Sequence, residues 1–174
     1  MAISSLKIYL GELNHTVLGD FRLAVSDLGL VAVEWADAQP RLDAYLRRFK
    51  CAVEQNPSKV KPYAKELGEY LKGKCREFTF PIDWSSLRPF QQKTLKVVYA
   101  IPYGEISTYA EVAVKIEYPR AYRAVGRANA TNPMPIVIPC HRVIGKDGKL
   151  HGYGGGNGLA TKEWLLKFEG AVIA

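Results

Sequence analysis

Cys140, His141 and Arg142 stand side by side at the end of an apolar, proline-punctuated run, "NPMPIVIPCHRV", residues 132–143. A free cysteine usually packs as a small hydrophobe. A histidine and an arginine are unusual company for that job, because either charge favours the thiolate, the nucleophilic form of the side chain. A cysteine nucleophile also wants a base, and the base wants an acceptor to orient it. His141 and Glu169 are the candidates for those two roles. Neighbours on an extended strand point to opposite faces, so Cys140 and His141 can cooperate only if the backbone turns at Pro139 or a water carries the proton. A packed cysteine beside a satisfied surface histidine would explain the same residues, and these positions alone leave both readings open.

The other cysteines, Cys51 and Cys75, make no C-x-x-C pair and have no histidines at zinc-finger spacing, so neither a metal nor another cofactor is expected. An odd cysteine count with no export signal reads as a reducing compartment, while the spacing leaves a Cys51–Cys75 disulfide open. The segment "MAISSLKIYLGELN" lacks the apolar core and cleavage site of an export signal, and no apolar run is long enough to span a bilayer. A soluble, cytoplasmic protein with no membrane partner is expected. The net charge of +7 is unevenly spread. Residues 1–85 carry 12 Lys and Arg against 11 Asp and Glu, and residues 86–174 carry 12 against 6. The excess sits in the half that holds Cys140, and a basic surface of this kind attracts a polyanion, most commonly nucleic acid.

Two domains are expected, 1–85 and 86–174, with the boundary in the Ser85–Pro89 region where a proline coincides with the change in charge. The first reads as α/β. "FRLAVSDLGLVAVEW" predicts a hairpin around Asp27–Gly29, "RLDAYLRRF" and "KPYAKELGEYLKGK" have helical spacing, and "REFTFPIDW" reads as a strand ended by Pro81. Nothing in this half assembles a reactive constellation, so it should support and not catalyse. The second half reads as short helices. "PFQQKTLKVVYAI" sets Phe90, Leu95, Val98 and Ile101 on one side, Thr108 and Glu111 make a capping box for "TYAEVAVKI", and Pro119 opens "PRAYRAVGRANATN". The last two form a helix-turn-helix whose second member carries Arg120, Arg123 and Arg127 on one face, with Ala121, Ala124, Gly126, Ala128 and Ala130 small enough for close approach. Asp147-Gly148 predicts a turn between two extended pieces, a wing. "GYGGGNG" is a flexible loop, and "ATKEWLLKFEG" closes the chain as a helix with Trp164, Leu165 and Phe168 as core.

Three stretches, "PFQQKTLKVVYAIPYGEISTYAEVA", "RAVGRANATNPMPIVIPCHRVIG" and "GYGGG" with "LATKEWLLKFEG", together resemble the C-terminal domain of the O6-alkylguanine-DNA alkyltransferases. The resemblance covers essentially all of residues 86–170, and the PCHRV motif with its preceding NP-P is highly specific. It implies an RNase H-like α/β N-terminal domain followed by a mainly α, winged helix-turn-helix domain. It also implies a monomer whose partner is double-stranded DNA containing O6-alkylguanine. By the same resemblance Cys140 is the alkyl acceptor, His141 relays its proton through water, and Glu169 orients the histidine. Asn132 ties the helix-turn-helix to the active-site loop, Arg123 replaces a flipped nucleotide, and Tyr109 donates to the leaving guanine. Tyr122, Arg120, Arg127, Ala121 and Gly126 fall on the DNA face, and Pro135, Val143, Tyr153, Gly154 and Gly155 at the base pocket. The implied reaction is suicidal, since the thioether product is not hydrolysed back.

The chain departs from the family pattern at three places. Asn157-Gly158 lengthen the glycine-rich loop, Gly154 replaces a serine found in some relatives, and Tyr122 is bulky where a small residue is common. Three rival readings remain at this stage: a non-catalytic protein that binds alkylated DNA, a winged-helix regulator, and a cysteine hydrolase, which would turn over repeatedly. The first typically lacks the acceptor cysteine that this chain keeps, and the second gives PCHRV, Asn132 and Glu169 no purpose.

Overall fold

The computed structural model describes residues 6–173. The first five residues of the N-terminal segment read above lie outside them. The chain divides into two compact units, Met1–Ser86 and Leu87–Ala174.

In the first unit, alternating apolar residues build three antiparallel strands, β1 (Lys7–Thr16), β2 (Gly19–Ser26) and β3 (Gly29–Trp35). The expected β2–β3 hairpin forms around Asp27-Leu28. β1 went unread in the sequence. Helix α1 (Gln39–Leu46) leads to β4 (Ala52–Gln55), which pairs parallel to β1 and gives the sheet order β3-β2-β1-β4. β3 is buried along its whole length, which explains its continuous apolar stretch at residues 30–33 better than a one-sided strand would. Helix α2 (Pro57–Leu71) starts at a proline behind the capping Asn56, whose side chain accepts from the Lys59 amide. It packs so closely on β1 that a Cβ on Gly11 would lie 2.7 Å from Val60.

"REFTFPIDW" is not a strand. An isolated bridge, Leu30 with Ile82, and a hydrogen bond from Ser26 Oγ to Asp83 at 2.6 Å tie it to the sheet without extending a strand. Its aromatic residues turn to α2 instead, where Phe78 meets Tyr70 and Phe80 meets Tyr63 at ring-centroid distances of 5.3 and 4.8 Å. Aromatic packing outweighed strand propensity here. Cys51 and Cys75 are both free thiols.

The second unit holds α3 (Pro89–Tyr99), β5 (Ser107–Thr108), α4 (Tyr109–Lys115), α5 (Tyr122–Ala130), β6 (Val143–Ile144) and α6 (Leu159–Phe168). Helices α3, α4 and α5 pack against one another. The capping box at Thr108 and Glu111 is formed in full. Four expectations are corrected. Pro119 does not open the recognition helix, because it occupies the second position of a turn closed by the Ala121 amide on the Tyr118 carbonyl, a favoured place for proline. Consequently Arg120 precedes α5, and Ala121 is its N-cap. The wing is a turn without a hairpin, since β6 pairs parallel with β5 and the residues after Gly148 form no strand. Phe90 is 37% exposed and rests near Tyr118 in place of joining Leu95 and Val98 in the core. On α6 the fully buried apolar pair is Leu165 and Leu166, and Trp164 stacks on Phe168 half-buried outside it. Among the described residues no helix is long and apolar enough to cross a membrane.

Candidate active site

The segment from Asn132 to Pro139 is a buried, irregular loop whose backbone groups need partners. Asn132 supplies them, with Nδ2 donating to the Ile138 carbonyl at 2.9 Å and Oδ1 accepting the Met134 amide at 3.0 Å. The same Nδ2 lies 3.2 Å from Cys140 Sγ. Ile136 adopts φ +72°, a region that costs a β-branched residue roughly 1–3 kcal/mol. It is held there fully buried, so the loop is set by its surroundings against local preference.

The backbone turns at Pro139, whose ψ of 62° leaves the extended region. Cys140, His141 and Arg142 then form one 3-10 turn, and all three side chains are buried. Among the described residues no hydrogen bond joins the Cys140 thiol to the His141 imidazole. His141 Nε2 instead bonds a Glu169 oxygen at 2.7 Å, and its Nδ1 is buried with no hydrogen bond among the described residues. Burial holds the imidazole below its ordinary pKa, outweighing the upward pull of Glu169.

Arg142 does a different job from the one its sequence position suggested. Its guanidinium grips Glu169 twice, at 2.7 and 2.9 Å, and donates to the Ile101 carbonyl at 2.5 Å. Its charge is thus spent on Glu169, the C-cap residue of α6, and not offered to the thiol. Glu169 also accepts the Gly104 amide at 3.1 Å. Gly104 has φ +78°, and a Cβ there would sit 2.9 Å from the Glu169 carbonyl oxygen, so the position requires glycine twice over.

The cation that acts on Cys140 is Lys162, which the sequence reading missed. Burial is the dominant influence on the thiol and pushes its pKa up; Asn132, the Lys162 charge and the local backbone amides pull it back in that order. Lys162 is fully buried on α6 and donates to the carbonyls of Val143 at 2.6 Å and His151 at 2.9 Å. Burial lowers its pKa to about 8. Tyr109 OH lies 3.4 Å from the amine and donates to the His151 carbonyl at 3.3 Å. Burial and the neighbouring cysteine push that phenol up to about 12, so it stays protonated. In the sequence Lys162 follows the last glycine of the loop by four residues and reads as an ordinary helix lysine.

The remaining residues divide between pocket and surface. Pro135, Val143 and Gly155 are buried, Tyr153 is half-buried, and Gly154 is exposed. Arg120, Tyr122, Arg123 and Arg127 are exposed, with Ala121 and Gly126 partly covered. Arg123 and Arg127 share the outer face of α5, whose inner face is Val125, Ala128 and Asn129. A buried thiol with a histidine–carboxylate pair behind it and a basic, small-residue helix nearby can transfer a group from a nucleic acid held on that helix.

Comparison with known proteins agrees in both units. Residues 9–84 match the model of the "6-O-methylguanine DNA methyltransferase, ribonuclease-like domain", and residues 89–171 that of the "6-O-methylguanine DNA methyltransferase, DNA binding domain". A methylated-DNA–protein-cysteine methyltransferase of Methanosarcina barkeri is 41% identical over 91% of this chain and 95% of its own. One from Mycolicibacterium paratuberculosis is 45% identical over 86% of this chain and 92% of its own. Among solved structures, Mycobacterium tuberculosis OGT in complex with DNA superposes with a TM-score of 0.76 at 34% identity, covering 94% of this chain and 92% of that one.

Proposed function

This chain belongs to the 6-O-methylguanine DNA methyltransferase family, and from that membership we propose how its residues carry the reaction. The activity is direct DNA repair, in which an alkyl group passes from methylated DNA to a cysteine of the protein itself. The acceptor is Cys140, the substrate is O6-alkylguanine in duplex DNA, and the second unit carries the chemistry while the first supports it. The protein works as a cytoplasmic monomer.

An alkyl group on guanine O6 is inside the duplex, so the nucleotide must rotate out into a pocket. The pocket is bordered by Pro135, Val143, Tyr153, Gly154 and Gly155. Helix α5 docks in the minor groove through Ala121 and Gly126, Arg123 fills the gap left in the stack, and Arg120 and Arg127 hold phosphates without demanding sequence.

The observation that carries the mechanism is the orientation of His141. An ionised carboxylate can only accept, so Glu169 fixes the proton on Nε2 and leaves a lone pair on Nδ1. A bridging water passes the thiol proton to Nδ1. The Lys162 ammonium and the Asn132 amide stabilise the thiolate as it forms. Sγ then attacks the alkyl carbon, the carbon–O6 bond breaks, and the electron pair goes to the guanine. Tyr109 is a protonated donor for that charge, and the proton held on His141 balances it. The thioether does not revert, so one molecule repairs one lesion.

The test mixes protein with limiting duplex carrying one O6-methylguanine, followed by intact and peptide mass spectrometry beside Cys140→Ala. One methyl per protein, mapped to Cys140 and absent from the variant, supports the reading. DNA that is bound but stays methylated would move the protein to the non-catalytic binders.

A further inference from the structure

Tyr122 is the one aromatic side chain of α5, and it does not pack inward. It is 48% exposed at the first position of the helix, and Arg123 lies with its guanidinium 5.8 Å from the ring centroid, within cation–π range. Its place around the helix matters. Gly126, one turn later, falls on the same side of α5, and a Cβ on Gly126 would lie 3.9 Å from the Tyr109 ring. Tyr109 in turn reaches Lys162 and the His151 carbonyl. Tyr122 therefore stands on the flank of α5 that leads to the pocket, while Arg123 and Arg127 lie on the outer face. Side chains on a helix lean toward its N-terminus, which carries the ring past the end of α5 and clear of Gly126.

Resting on the repair reading above, we propose that Tyr122 is a specificity-determining residue: its ring stacks on the base that flanks the flipped guanine on the pocket side. Arg123 leaves that ring to fill the gap in the stack, so the two neighbours share the work of holding an opened duplex. A tyrosine face accepts any base, and stacking on a flat aromatic is sequence-tolerant but stronger for purines. The side chain thus adds a dependence on the neighbouring base that Arg123 cannot supply.

The experiment compares wild type, Tyr122→Ala and Tyr122→Phe in single-turnover repair of duplexes carrying O6-methylguanine with a purine or a pyrimidine on each side. Methylation of Cys140 by methyl iodide serves as the measure of intrinsic thiol reactivity. Tyr122→Ala should slow duplex repair about tenfold, flatten the preference for the flanking base and leave the methyl iodide rate within twofold. Tyr122→Phe should match wild type in all three. A 2-aminopurine placed beside the lesion should stay quenched in complex with Cys140→Ala and brighten with Cys140→Ala/Tyr122→Ala. Unchanged duplex repair and fluorescence in the alanine variant, or a phenylalanine variant as slow as alanine, overturns the stacking role. Absence of transfer by the wild type overturns the repair reading itself, which separates the two failures.

Discussion

Replacing Lys162 by methionine separates what the buried ammonium does for the thiol from what it costs the fold. Among the described residues no carboxylate pairs with it; its donors go to two carbonyls and the Tyr109 hydroxyl. A pKa lowered from 10.5 to about 8 corresponds to about 3 kcal/mol against the charged form. Methionine removes that penalty but leaves the Val143 and His151 carbonyls without their donor, at about 1–3 kcal/mol each. Near neutral pH the two effects offset, and stability changes little. The pH dependence does not cancel. The folded-state value lies below the unfolded one, so from about pH 8 to 10.5 the unfolded chain binds the extra proton and wild-type stability rises with pH. Urea unfolding across that window should show the wild type gaining about 3 kcal/mol on the methionine variant.

The same substitution should slow transfer. A nearby opposite charge favours an ionised group by roughly 1–3 pKa units, so the variant should repair at least about tenfold more slowly at pH 7. Above pH 8 the wild-type amine loses its own proton and the deficit should shrink. Rapid-quench single-turnover assays from pH 6.5 to 9.5 measure this directly. A variant as fast as wild type at pH 7, or one whose deficit is the same at pH 9.5, refutes the electrostatic role assigned to Lys162.

Glu169→Gln should be the most damaging single change away from the thiol. It leaves Arg142 buried without its counter-charge, at about 3–5 kcal/mol by thermal or urea unfolding, and repair should fall with it even where the protein stays folded. Asn132→Ala removes the donor to Ile138, the acceptor for Met134 and the contact with Cys140, so it should cost about 2–3 kcal/mol and shift the pH–rate profile upward as the thiol pKa rises. Acid should destabilise the wild type through His141: burial depresses its folded-state pKa, so stability is lost as pH falls below the unfolded value of about 6.5. His141→Gln, which cannot take that proton, should flatten the loss in urea titrations between pH 7 and 5.

How far the sequence could be read depended on the kind of interaction involved. The β2–β3 hairpin and the Thr108 capping box announced themselves because their signals are local and need no tertiary partner. Cys140, His141 and Glu169 were nameable because their chemistry limits which residue types can serve. Arg142 was misread because a side chain's destination is not a sequence property. Beside a cysteine it looked like a charge for the thiol, and only the fold turns it onto Glu169. Lys162 was missed for the opposite reason. In "ATKEWLLKFEG" it looks like a solvated helix lysine, and nothing local says that α6 is rotated to bury it. "REFTFPIDW" failed because Phe78 and Phe80 had better partners on α2 than across a strand.

The adjacency of Cys140 and His141 posed a geometric problem that the 3-10 turn resolves. With about three residues per turn, successive side chains diverge by about 120°. Cys140 therefore faces one way, to Asn132 Nδ2, while His141 and Arg142 swing back onto the two oxygens of Glu169. The same geometry keeps the Cys140 thiol from bonding the neighbouring imidazole directly. In the proposed mechanism the thiol needs an intermediary to reach the imidazole, which burial favours in its neutral form while Arg142 balances the carboxylate. One short turn thus sends neighbouring side chains to different partners, with Gly104 and Ile101 fixing Glu169 and Arg142 in place behind them.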